Sequence, residues 1–221
     1  MTKKSSGPVL VIGLGRFGAA VARTLMDNDQ EVMAIDSDLA RVQYYADDLT
    51  HVVQVDSTDE DALQQVGVRE FERAVVAIGS GIEASVLTTG LLVDFKIAQI
   101  WAKAVSRDHG RILERIGAHH VIYPEADMGE RVAHLVSGEM LDYIEFDDEF
   151  ALAKLVAPSS LGSEPLGTLG LRAKYGVTVV GVKEPGQTFT YADRDTVIEP
   201  GALIAVAGTR QAVDRFAQEV R

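Results

Sequence analysis

The 221-residue chain contains no cysteine, which removes disulfides, thiolate metal sites and thiol nucleophiles from consideration and fits a reducing compartment. Long apolar runs are missing too. Charged or polar residues break every hydrophobic stretch before the roughly 18 uninterrupted residues needed to cross a bilayer. The start, Met1-Thr2-Lys3-Lys4-Ser5-Ser6-Gly7-Pro8, leads into only four apolar residues before Gly13, far short of a signal-peptide core. The chain is therefore expected in the cytoplasm, with no insertion of its own into a membrane. No Pro-, Gln- or Ser-rich tract suggests a disordered linker. Positive charge is in short supply: 21 Lys and Arg against 33 Asp and Glu give a net charge of −12. That balance argues against nonspecific binding to DNA, RNA or anionic lipid, all of which select basic surfaces. The remaining partners are another protein or a small ligand held in a locally positive pocket.

What is present is a repeating pattern. Short β-type runs at 9–12, 32–36, 51–56, 74–78, 100–104 and 121–123 alternate with helical stretches. Strand–helix–strand repeats mean a parallel sheet, and runs nearly continuous in Val, Ile and Ala mean strands covered on both faces. This predicts an α/β, Rossmann-type doubly wound sheet. Ser57 and Thr58, with acids three residues on at Glu60 and Asp61, read as a capping box. A longer helix is predicted over 126–140, with Met128, Val132, Leu135 and Val136 on one stripe. The character then changes: strands at 143–146, 150–156, 177–182, 188–191 and 203–207 are joined by turns rich in Gly, Pro, Asp and Ser. With helices at 168–175 and 210–220, this predicts a small α+β domain over 141–221 after a nucleotide-binding domain over 1–140.

The run at 9–12 leads directly into Gly13-Leu14-Gly15-Arg16-Phe17-Gly18 and then a helical stretch. Gly13 permits the tight turn, Gly15 lets a phosphate approach the backbone, and Gly18 lets the helix pack close to the sheet. The free N–H groups of the helix start face an anion. Asp36 and Ser37 end the second strand about 20 residues later, where a carboxylate can accept from both hydroxyls of a ribose. A pyrophosphate is already served by backbone donors, so Arg16 suits extra charge such as a terminal phosphate, or else a surface acid.

Ligands in such sheets sit beyond the carboxyl edge, which makes the other strand ends candidates. Asp56 and Ser57 suit an adenine or its ribose, or serve only as the helix cap. Ile78 and Gly79 line a nucleotide or simply turn the chain. Lys103 neutralises phosphate or stays solvated. Glu125 favours the N-terminus of the next helix or, beside phosphates, ligates Mg²⁺ or Ca²⁺.

With these residues in view, the sequence resembles the RCK (KTN) family, at its Ktr/Trk potassium-uptake regulatory subunits. The resemblance covers essentially the whole chain: GLGRFG at 13–18, the strand end at Asp36, VDSTDEDAL at 55–63, AVVAIG at 74–79, AHHVIYPE at 118–125 and VIEPGALIAVAG at 197–208. It implies a Rossmann domain followed by a small RCK-C domain, paired as dimers into an octameric ring beneath a separate membrane-embedded ion-translocating subunit. Within that family ATP and ADP compete at the glycine loop and change the ring's shape, which opens or closes the pore, while some relatives bind NAD(H). By the same resemblance Arg16 would approach terminal phosphates across the dimer, Asp36 the ribose, and Glu125 a divalent cation. Some relatives bind cyclic di-AMP between paired C-terminal domains. Leu171, Arg172, Val177, Thr178 and Val179 lie in that stretch, with Thr178 where an asparagine is expected. An ordinary dimer core is the other reading of these aliphatics.

The rival class is an NAD(H)-dependent oxidoreductase, which shares fold and loop but needs an acid or base at the substrate. His51, His109, His119, His120 and His134 all precede the predicted second domain, and no Tyr-x-x-x-Lys pair occurs. His119 and His120, neighbours on a strand, point to opposite faces and make a poor metal site. A redox-sensing repressor would require a basic recognition helix, and the sequence has none. The expectation is a non-enzymatic sensor working by population shift, in which a nucleotide with more phosphate favours one dimer geometry.

Overall fold

The computed structural model describes residues 7–136, 140–147, 149–162 and 164–219. The opening residues 1–6 and the ends read for two helices, 137–139 and 220, lie outside the described residues. By internal packing the chain divides into two compact units, Met1–Glu125 and Ala126–Arg221. The helix predicted over 126–140 is thus grouped with the second unit, whereas the sequence reading put it in the first.

In the first unit, β1 (Val9–Ile12), β2 (Val32–Asp36), β3 (His51–Gln54), β4 (Arg73–Val76), β5 (Gln99–Lys103) and β6 (His120–Ile122) form one sheet in the order β3-β2-β1-β4-β5-β6. Each adjacent pair is parallel, as the crossover helices require: α1 (Arg16–Asp27), α2 (Leu39–Tyr45), α3 (Glu60–Gln65), α4 (Ile82–Asp94) and α5 (Arg107–Ile116). All four residues of β1 are buried because the strand feeds two cores. Leu10 and Ile12 join Ile35, Val76, Ile100 and Leu113 on one face, while Val9 and Val11 join Leu14, Ala22 and Ala34 on the other. The order reverses between β1 and β4, opening the crevice at the carboxyl edge where such sheets take ligands.

The helix α6 (Pro124–Val136) follows, starting two residues before the predicted position. Its proline sits at the first helical position, where no intrahelical N–H partner is lost. The second unit holds an antiparallel sheet in the order β10-β9-β11-β8-β7, built from β7 (Asp142–Asp147), β8 (Phe150–Val156), β9 (Val177–Lys183), β10 (Thr190–Tyr191) and β11 (Leu203–Thr209). Alternation in β8 turns Ala151, Ala153 and Leu155 inward, against Val213 and Phe216 of the last helix. The helix expected over 168–175 is two short ones, α7 (Leu166–Leu169) and α8 (Leu171–Tyr175), before α9 (Arg210–Glu219). Gly170, at φ +61°, breaks the first from the second. Among the described residues, no helix is long and apolar enough to cross a membrane.

Candidate functional site

The turn after β1 is shaped by two tight approaches. Gly13 has φ +97°, and a Cβ on it would lie 3.2 Å from the Ala77 carbonyl carbon. A Cβ on Gly18 would lie only 1.9 Å from the Gly13 oxygen, so this glycine is needed for α1 to fold back on its own loop. Gly15, the residue capping α1, is the opposite case: a Cβ there would meet nothing within 4 Å. No side chain caps α1 and no acid lies in its first turn. Its first N–H groups are left without a capping side chain, and with the positive end of the dipole they suit an anion.

Asp36 lies at the end of β2 and is buried. One carboxylate oxygen accepts from Leu14 N–H at 2.6 Å, with Arg41 at 3.3 Å, and the other accepts from Asp38 N–H at 2.8 Å. Asp36 thus ties the strand to the glycine loop, and any ribose would share an acceptor already in use. Ser37 is exposed beside it, its carbonyl accepting from Gln54 Nε2 at 3.0 Å.

The other wall is cationic. Lys103, at the end of β5, is buried, and its Nζ lies 3.2 Å from where a Cβ on Gly79 would stand, so Gly79 leaves room for the ammonium. Lys103 donates to Glu125 Oε1 at 2.5 Å, and its Nζ lies 5.8 Å from the Phe17 ring centroid. The hydrogen bond from Lys103 holds the Glu125 carboxyl below the usual carboxylate range, and exposed Arg16 adds a smaller pull in the same direction. Arg16, Phe17, Gly79, Lys103 and Glu125 therefore converge on one stretch of the sheet edge. Ile78 is half-buried and packs against the core below.

Asp56 and Ser57 have local work. Asp56 accepts from Thr58 Oγ1 at 2.7 Å and Thr58 N–H at 3.0 Å, which lowers its pKa, and Ser57 Oγ meets Thr88 Oγ1 at 2.8 Å. The cap of α3 is neither Ser57 nor Thr58 but Asp59, which accepts from Asp61 N–H at 2.9 Å and Ala62 N–H at 3.1 Å. Thr58 is already folded onto Asp56, so the helix starts one residue later than the capping-box reading implied.

Of the second-unit candidates, Leu171, Val177 and Val179 point into that unit's own core, while Arg172 and Thr178 are exposed. Sequence reasoning missed Arg41 beside Asp36, the Ser57–Thr88 hydroxyl pair, and the direct pairing of Lys103 with Glu125. Arg41 alone had a local signal, lying one helical turn beyond the strand end. Among the described residues, no group of three or more His, Asp or Glu could hold a metal ion. Glu125 would need phosphate oxygens as co-ligands.

The TrkA-N domain family matches residues 9–124 and the TrkA-C domain family residues 151–221. Ktr system potassium uptake protein C of Bacillus subtilis (strain 168) is 40% identical over 211 residues, covering 95% of this chain and 96% of that protein. Protein A of the same system and organism is 39% identical over 210 residues, covering 95% of each. The GsuK channel bound to NAD superimposes with a TM-score of 0.67 at 18% identity, across 100% of this chain and 41% of that one. The GsuK bound to ADP superimposes with a TM-score of 0.53 at 21% identity, over 62% of this chain and 35% of that one. The chain spans less than half of those channel chains, and at such identities the likeness is one of fold.

Proposed function

The chain belongs to the family that joins a TrkA-N domain to a TrkA-C domain, and we propose that it is the nucleotide-sensing regulatory subunit of a potassium-uptake system. One observation carries this reading. In a chain of net charge −12, α1 starts without a capping side chain at Gly15 and Arg16, and the buried Lys103 ammonium lies 5.8 Å from the Phe17 ring of the same turn. Such a start suits a phosphate chain, and Asp36 would accept from the ribose alongside its bonds to Leu14 and Asp38. Two relatives are named as potassium-uptake proteins, and a fold neighbour was solved with NAD and with ADP, which supports an adenine nucleotide at the loop.

ATP and ADP compete at the loop 13–18. The ligand with more phosphate gains contacts to Arg16, and to a divalent cation held between its phosphates and Glu125, in one subunit arrangement only. A nucleotide touching both arrangements equally would shift nothing. The protein performs no chemistry of its own. Paired copies assembled into an octameric ring act on a membrane-embedded translocating subunit, which holds the ring at the inner face of the cell membrane. Cyclic di-AMP, if it acts on the second unit, meets Arg172 and Thr178 at the surface, since the neighbouring aliphatics are core.

Two measurements test the reading. Mass spectrometry of small molecules released by denaturing the purified protein is expected to find an adenine mononucleotide; NAD(H) together with turnover of a metabolite would replace the sensor by an oxidoreductase. In calorimetry, Arg16→Ala is expected to lose the preference for ATP over ADP while retaining most of the affinity for adenosine. An unchanged ATP preference defeats the proposal.

A further inference from the structure

Lys103 and Glu125 are unequal partners. The lysine side chain is 9% exposed and the glutamate 65%, yet their charged atoms meet at 2.5 Å. An ammonium withdrawn so far from water needs an opposite charge nearby, and Lys103 pairs with a carboxylate that reaches in from the solvent side. The same ammonium lies against Gly79, just beyond β4, and near the Phe17 ring of the glycine loop. It is therefore placed on the edge that would receive phosphate. Glu125 is also the second residue of α6, the helix that leads out of the first unit.

We infer that Glu125 is an internal competitor for Lys103: a ligand phosphate and the Glu125 carboxylate neutralise the same ammonium, and each displaces the other. This rests on the nucleotide reading above and deepens it. Two anions brought to one lysine repel each other, so the phosphate takes Lys103 only by moving the carboxylate aside. The displaced Glu125 becomes available to a divalent cation on the phosphates, and the start of α6 loses its tether to β5. Lys103 thereby senses phosphate charge, and Glu125 sets the threshold at which it responds.

The test is calorimetric titration with adenosine, ADP and ATP in EDTA-containing buffer, where no divalent cation bridges Glu125 to the ligand. Glu125→Gln removes the competitor from an exposed position and is expected to tighten ADP and ATP roughly fivefold, the scale of one partly exposed ion pair, with adenosine unchanged. The tightening should disappear in Glu125→Gln combined with Lys103→Met. Equal or weaker ADP and ATP binding in Glu125→Gln overturns the inference. So does tightening that survives the loss of Lys103, which would be simple relief of repulsion. Should Lys103→Met not fold, the Glu125 carboxyl ¹³C resonance of the parent protein decides: it should move when ADP binds, and a bound state with that signal unmoved overturns the competition. A parent protein that binds no adenylate at all would instead remove the nucleotide reading itself.

Discussion

The Asp36 carboxylate and the Leu14 backbone N–H meet at 2.6 Å, so the last residue of β2 holds the turn that follows β1. A residue at this place is ordinarily assigned to ribose recognition. Here it also fixes the shape of the loop, so affinity and stability are coupled through one side chain.

Asp36→Ala leaves the Leu14 and Asp38 N–H groups without their carboxylate acceptor at the edge of the core. At about 1–3 kcal/mol for each donor so stranded, the variant is expected to lose roughly 2–6 kcal/mol of unfolding free energy in ligand-free urea melts. Unchanged stability with reduced nucleotide affinity would confine Asp36 to ligand binding.

The glycines of the loop should separate into two kinds. Gly18→Ala sets a Cβ 1.9 Å from the Gly13 oxygen and 2.9 Å from the Ala77 Cβ, so it should destabilise by about 3 kcal/mol or more. Gly15→Ala enters open space at φ −66°, ψ 179°, a conformation any residue adopts, and should leave the melt within about 0.5 kcal/mol of the parent. The same variant should weaken adenylate binding by about tenfold or more, equivalent to ~1.4 kcal/mol. Thermal melts and calorimetry on the two variants check both halves.

Acid should weaken the first unit through His109. The residue is 2% exposed, with Nδ1 accepting from Val105 N–H at 3.3 Å and no partner for Nε2 among the described residues. Burial pushes its pKa below the ordinary imidazole value. The unfolded chain therefore takes up a proton near pH 6.5 that the fold resists, so the stability is intact above about 6.5 and declines as pH falls below it, until the folded-state value is reached. His109→Asn keeps an acceptor near Val105 and removes the titration. Denaturant midpoints for the variant should fall less steeply than the parent's between about pH 7 and 5, and parallel slopes would refute the assignment.

The α3 cap offers a smaller effect. Asp59→Ala removes the acceptor of two N–H groups and should cost about 1 kcal/mol. Ser57→Ala should cost a similar ~1 kcal/mol through its lost bond to Thr88 rather than through capping. A double-mutant cycle for Ser57 and Thr88 should show coupling, and Ser57 with Asp59 should not.

The six parallel strands were legible because each is a short apolar run whose neighbours in sequence are helices. Their ends were less so. The fourth run was read to 78, but β4 stops at Val76, where Ala77 N–H bonds Ile12 O at 2.7 Å as the chain leaves the sheet. The tight turn at Gly13 and Gly18 was legible because the glycine spacing is local, whereas the Asp36–Leu14 bond joins residues 22 apart and has no local signal. The Lys103–Glu125 pair was not: each residue was a separate candidate, and only the pairing of β5 with β6 brings the start of α6 beside the end of β5. The break at Gly170 was hidden because an isolated glycine inside a helical pattern is tolerated at a cost of about 1 kcal/mol as well as able to end the helix. Leu171, Val177 and Val179, read either as a ligand surface or as an ordinary dimer core, belong to the core of their own unit, Val177 and Val179 by strand alternation and Leu171 from α8.

The central place of β1 has a consequence for biosynthesis. Val9 pairs with Val32 on one side and Arg73 on the other, so this strand leaves the ribosome before either neighbour and is flanked on both sides only once β4 has emerged. Until then one edge of a fully apolar segment stands open, the kind of template on which nascent chains stick to one another. A nucleotide could not relieve that exposure, because half of its crevice has yet to be translated.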